Sequence, residues 1–137
     1  MQIPVNYLAV VIAALAAFGL GMVWHTVLFK AWRRALANTA NVQGRNYVVP
    51  FLITFLALLL MAWMLAGLMG HLAQLNVRGG VIAAFFVWSG FVITVMAVSH
   101  AFTGAKPMLT VIDGGYWLLA LLIMGAVIGA FGMPGTG

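Results

Sequence analysis

The sequence predicts an all-α membrane protein, in which four transmembrane helices form an antiparallel up-down-up-down bundle. Hydrophobic residues make up 66% of the 137 residues, against roughly 45–50% in soluble proteins. Charged residues make up only 5%, where a soluble domain carries roughly 25%. A soluble fold of this size could not cover its surface with so few polar side chains. The apolar residues also collect in four stretches, each near the ~20 residues that cross the hydrocarbon core of a bilayer.

The predicted helices cover about residues 5–29, 47–71, 80–102 and 107–131, in one membrane domain that spans residues 1–137. Each stretch is apolar on all sides, as expected for a helix that meets both lipid and other helices. A transmembrane β-barrel would need segments of ~10 residues that alternate polar and apolar side chains, and no segment does so. Because the connections are short, neighbouring helices are expected to be antiparallel.

Charge and cysteine content narrow the possible functions. The net charge is +5, but the six cations are dispersed and do not form the basic stripe of a nucleic-acid-binding protein. The chain has no Cys, which excludes disulfides and thiolate metal sites. No nucleophile–base pair or phosphate-binding glycine loop is evident, so we expect no enzymatic activity, cofactor or metal.

The distribution of Lys and Arg predicts the orientation in the membrane. The first connection, residues 30–46, holds four of the six cations, the third holds Lys106, and the second holds only Arg78. By the positive-inside rule, the first and third connections are cytoplasmic and both termini lie outside.

The start of the cytoplasmic loop 30–46 has the pattern of a short interfacial helix. Phe29, Trp32 and Leu36 recur at helical spacing. The expected interfacial anchors are Trp32 together with the cations Lys30, Arg33 and Arg34. This pattern is typical of ordinary anchoring of a helix end; a dedicated site for a lipid headgroup is the alternative.

Small residues recur every four positions in three of the predicted helices. This spacing lets two helix backbones approach closely in a membrane. Internal packing of the bundle explains it, and association with another chain is the alternative. The predicted packing residues are Ala13, Ala17 and Gly21; Ala62, Ala66 and Gly70; and Gly125 and Gly129.

Three ionisable residues are expected at one depth in the membrane. His25 and His100 each precede a Lys near a helix end, at roughly 8–9 Å by the helical rise, and Asp113 lies about 10 Å beyond Lys106. Asp113 is the only acid, and it has either a structural role or binds a proton or cation. His25, His100 and Asp113 are therefore a candidate buried polar cluster, which could serve as a proton relay or, with the two imidazoles, as a haem or metal site.

Several sequence strings resemble a known family. They include Asn6-Tyr7-Leu8-Ala9-Val10, Trp88-Ser89-Gly90-Phe91-Val92, Asp113-Gly114-Gly115-Tyr116-Trp117 and Gly125-Ala126-Val127-Ile128-Gly129. Over nearly its whole length the chain resembles the bacterial four-helix membrane family catalogued as domain of unknown function 1761. The resemblance implies a four-helix fold in the bacterial cytoplasmic membrane and no particular activity. The residues His25-Thr26-Val27-Leu28 depart from the family's pattern, so the resemblance assigns His25 no role.

The resulting functional hypothesis is a small polytopic membrane protein that acts as an accessory or structural subunit. Its partners would be the lipid bilayer and other transmembrane chains, or a second copy of itself, and not nucleic acid. One alternative is a small proton-coupled transporter or channel that uses Asp113. A further alternative is a haem- or metal-binding module that uses His25 and His100.

Overall fold

The computed structural model describes residues 6–36 and 48–132. It confirms the predicted all-α fold, with four helical spans long and apolar enough to cross a membrane. Residues 37–46 of the predicted cytoplasmic loop, including Arg45, lie outside the described residues. The helices are α1 (Tyr7–Val27), α2 (Phe29–Leu36), α3 (Val48–His71), α4 (Val77–Val87), α5 (Ile93–Thr103) and α6 (Pro107–Phe131).

The third span is one continuous helical unit, Val77–Thr103, made of α4, a π-helical turn at Trp88–Val92, and α5. Its start lies before the predicted residue 80 because Asn76 caps the helix, its side chain accepting a hydrogen bond from the Gly79 N–H at 2.7 Å.

Helix α6 lies at the centre of the bundle. It contacts α1, α2, α3, α4 and α5, and 44% of its apolar window is buried, against 11% for the third span. The core combines many alanines with a few large side chains, so the helices lie close together. The largest fully buried side chains are Leu58, Met69, Leu121, Met124 and Ile128.

Helix α2 is docked on the start of α6. The chain turns at Leu28, where α1 ends, and Ala35 is then buried against Leu109 and Ile112. The predicted interfacial helix therefore exists, but the face that packs includes Trp32 and Ala35, while Phe29 is 40% exposed. Small alanines allow the close approach to α6 that the larger Phe29 would not.

Candidate functional site

The only acid of the chain lies next to a histidine from another helix. His25 Nε2 on α1 and Asp113 Oδ1 on α6 are 3.5 Å apart. Oδ1 is itself buried and has no hydrogen-bond partner among the described residues. The two side chains remain 37% and 21% exposed, so the pair lies at the edge of the bundle and not in its core.

The hydrogen bonds of His25 define where a proton is needed. Its Nδ1 lies 3.1 Å from the carbonyl oxygen of Gly21. A carbonyl only accepts, so Nδ1 must carry the hydrogen of this bond. In a neutral imidazole, Nε2 would then present its lone pair to the carboxylate. A favourable contact therefore requires that one of the two groups carries a proton, either His25 at Nε2 or the carboxyl group of Asp113.

Two indole groups hold the backbone of α6 on either side of Asp113. Trp24 of α1 donates its Nε1–H to the Ile112 carbonyl at 2.9 Å. Trp88, at the π-helical turn, donates to the Gly114 carbonyl, also at 2.9 Å. The acid is thus fixed between the first and third spans by its two neighbours. Neither indole bond was predicted from the sequence, because each joins residues far apart along the chain.

Aromatic rings surround His25. Tyr116 packs against the imidazole with ring centroids 5.4 Å apart, and Trp32 of α2 does so at 6.1 Å. The Tyr116 hydroxyl donates to the Ala17 carbonyl at 2.9 Å, which ties α6 to α1 one helical turn from Gly21. Side chains of α2 and α6 therefore pack around His25, and α6 is bonded to α1 next to it.

His100 does not join this pair. Its Nδ1 lies 2.8 Å from Thr110 Oγ1, nearly one turn before Asp113 on α6. Within the described residues no group of three or more His, Cys, Asp or Glu side chains could hold a metal ion. Of the predicted three-residue cluster, His25 and Asp113 therefore lie together, and His100 is bonded to Thr110 instead.

The comparison with family models identifies the family. The model described as protein of unknown function DUF1761 matches residues 8–129. The chain belongs to this family. The match includes His25, Asp113 and both indoles that flank the acid. No curated protein and no solved structure matches the chain.

The small-residue stripes of this DUF1761 protein pack inside the chain. Ala13, Ala17, Ala62 and Ala66 are at most 1% exposed. Gly21 lies against the Tyr116 ring, and the backbones of Gly125 and Gly129 meet those of Gly80 on α4 and of its N-cap, Asn76. Gly70 is half-buried. Apart from Gly70, these residues therefore already pack within the chain.

An apolar cleft separates α3 from α5. In the described part of the chain, no Cα atom of α3 lies within 8 Å of one in α5. A cavity of about 300 Å³ opens between them. Its lining residues are Met61, Phe91, Val92, Val95, Met96 and Trp117.

Proposed function

We propose that this DUF1761 protein is a structural membrane subunit that associates with a second copy of itself through the α5 face. The observation that carries the proposal is that no residue of α5 is buried, although α5 belongs to a span that packs tightly at its other end. An unfilled cleft forfeits van der Waals contact, and in a membrane such contact is a main source of helix association.

The exposed residues of this face follow a heptad pattern. Phe91, Val95, Val98 and Phe102 are spaced by four, three and four residues and are 57–89% exposed. We call these four residues the α5 seam. Alternating spacings of three and four residues are those of helices that pack with a left-handed crossing. The seam therefore suits a helix as its occupant.

A second copy is the occupant that the seam favours. Two copies related by a two-fold axis would bring the same face together, as most homodimers do. Phe91 and Val95 belong both to the seam and to the wall of the cleft, so each copy offers a ridge next to a groove. Met61 and Met96 in the cleft are flexible side chains that adapt to an inserted group.

The absence of Cys makes the proposal directly testable by cross-linking. Val95→Cys or Val98→Cys should give a disulfide-linked dimer in native membranes after mild oxidation, because the two-fold axis brings each residue near its own copy. Leu56→Cys on α3 is the matched control, since Leu56 is 64% exposed and Val95 62%. It should remain monomeric.

Two results would contradict self-association through the seam. Equal cross-linking at Val95, Val98 and Leu56 would indicate random collision in the bilayer. No cross-linking at any seam position, with a heavier adduct to a different chain, would place another protein at this face.

A second candidate function is proton-coupled transport, which the His25–Asp113 pair favours. The pair requires one proton between its members, and it lies in the membrane-spanning part where ionisable residues usually mark an ion or proton path. Proton flux into proteoliposomes should then be lost in Asp113→Asn and retained in Ser99→Ala, an exposed hydroxyl on α5. Unchanged flux in Asp113→Asn would exclude this role for Asp113.

The proposed location is the bacterial cytoplasmic membrane, with both termini outside. The excess of Lys and Arg on the first and third connections supports it. A membrane-impermeant maleimide added to intact cells should label Gln74→Cys and not Thr103→Cys. The reverse labelling would invert the orientation.

A further inference from the structure

We infer that α2 holds the phosphate group of an anionic lipid headgroup between Lys30, Arg33 and Arg34. These three side chains line an open depression of about 560 Å³ on the protein surface, which we call the cavity. They lie within five consecutive positions of one short helix that follows the first membrane span. The site is independent of the α5 seam and of the His25–Asp113 pair.

The chain offers no carboxylate partner for these three cations among its described residues. There is one acid in 137 residues, and that acid lies against His25. No described carboxylate is within ion-pair distance of Lys30, Arg33 or Arg34. Three cations that share one cavity repel each other, so an anion bound among them would remove an unfavourable interaction as well as add attraction.

The tertiary packing of α2 fixes the cations in place. Ala35 is 2% exposed, and its carbonyl accepts a hydrogen bond from the Lys106 N–H at 3.1 Å. The orientation of the α2 face opposite Ala35 is therefore fixed. Lys30, Arg33 and Arg34 are presented by a docked helix, which lowers the entropy lost when they bind a ligand.

The chemistry of the three side chains favours phosphate. Arginine presents its donors in a planar fork that matches phosphate oxygens, and lysine adds a point charge. The Arg33 guanidinium lies 5.6 Å from the centroid of the Phe29 ring, which orients it through a cation–π contact. The exposed Phe29 ring also provides an apolar surface beside the charges, which suits a lipid and not a free phosphate ion.

Native mass spectrometry of the full chain tests the inference. The probes are phosphatidylglycerol, phosphatidylcholine with the same acyl chains, and inorganic phosphate. The wild type should retain phosphatidylglycerol in preference to phosphatidylcholine. The Lys30→Gln/Arg33→Gln/Arg34→Gln variant should lose that preference, with retention falling on the order of a hundredfold, since each Lys or Arg near the surface contributes to binding anionic lipid.

Lys106→Gln is the matched control because it removes a cation from the same end of the bundle, outside the cavity. It should keep the preference. The Arg33→Lys/Arg34→Lys variant keeps the positive charge but lacks the planar guanidinium groups. Its preference for phosphatidylglycerol should therefore fall by an intermediate amount. Circular dichroism in detergent without added lipid checks that each variant is folded.

Three outcomes would overturn the inference. The first is an unchanged lipid preference in a folded triple variant. The second is an equal loss in Lys106→Gln, which would indicate only general surface charge. The third is that inorganic phosphate binds as tightly as phosphatidylglycerol, which would assign the cavity to a free anion and not to a lipid.

Discussion

The two halves of the third span differ sharply in how they pack. In α4, Gly79, Gly80, Ala83 and Ala84 are buried, and the backbone of Gly80 meets that of Gly125 on α6. In α5 no residue is buried. The change occurs at the π-helical turn Trp88–Val92. One continuous helix therefore packs in the core through α4 and leaves a face of α5 exposed.

The two halves also differ in the size of their side chains. Glycine and alanine let two backbones approach, which replaces the missing hydrophobic drive between helices in lipid. In α5 larger residues predominate, and α5 makes no such approach to α3. An extra residue in a helical turn rotates everything after it by about 100° relative to a regular α-helix. The π-helical turn therefore redirects the seam away from the face that α4 buries.

The largest expected change in the free energy of unfolding comes from a substitution in α4, the packed half of the third span. A Cβ at Gly80 would overlap the carbonyl oxygen of Gly125, which is backbone and cannot move aside. Gly80→Ala should lower the free energy of unfolding by about 3 kcal/mol, the upper range for overpacking. Reversible unfolding in mixed detergent micelles measures the change.

The matched control is Gly90→Ala in the π-helical turn, where a Cβ would meet no atom within 4 Å. It should leave stability unchanged or raise it by up to about 1 kcal/mol, the helix-propensity difference between the two residues. A similar loss in both variants would contradict the close approach of α4 and α6.

A smaller effect is expected where the two halves join. Trp88→Phe removes the indole donor to the Gly114 carbonyl and should cost about 1 kcal/mol, as for a typical hydrogen bond. Trp63→Phe is the control, because Trp63 is 46% exposed, and it should change stability less. If the two substitutions cost the same in the unfolding assay, the indole bond beside Asp113 contributes nothing.

The smallest effect on the single chain is expected in the free half. Val98→Ala should change the unfolding free energy of the monomer by no more than about 0.5 kcal/mol, as for surface substitutions. It should nevertheless reduce the fraction of dimer in the membrane, since it truncates the α5 seam. A large loss of monomer stability would mean that Val98 itself packs within its own chain.

The fold could be predicted largely from sequence, because apolar length and the absence of charge decide whether a segment crosses a membrane. Other features could not. The break at Leu28 carries no Gly or Pro signal, and at the π-helical turn Trp88 bonds to the Gly114 carbonyl on α6, a contact that no local pattern shows. The docked face of α2 includes Ala35, which a search for large apolar residues overlooks.

The candidate site was predicted in part. Helical rise gives the depth of His25, His100 and Asp113, and depth alone is compatible with many rotations about each helix axis. His25 and Asp113 meet, whereas His100 turns to Thr110. The rotation is set by the Trp24 and Tyr116 contacts, which join residues far apart in sequence and leave no local pattern.

The central claim is that the free half of the third span is an interface between two copies, and the mass of the protein in its membrane tests it most directly. Native mass spectrometry from nanodiscs formed without prior detergent extraction should give twice the 14.6 kDa mass of one chain. The Val95→Ala/Val98→Ala variant should shift the particles toward one copy. A wild type that has the mass of a single chain at every protein-to-lipid ratio would contradict the claim.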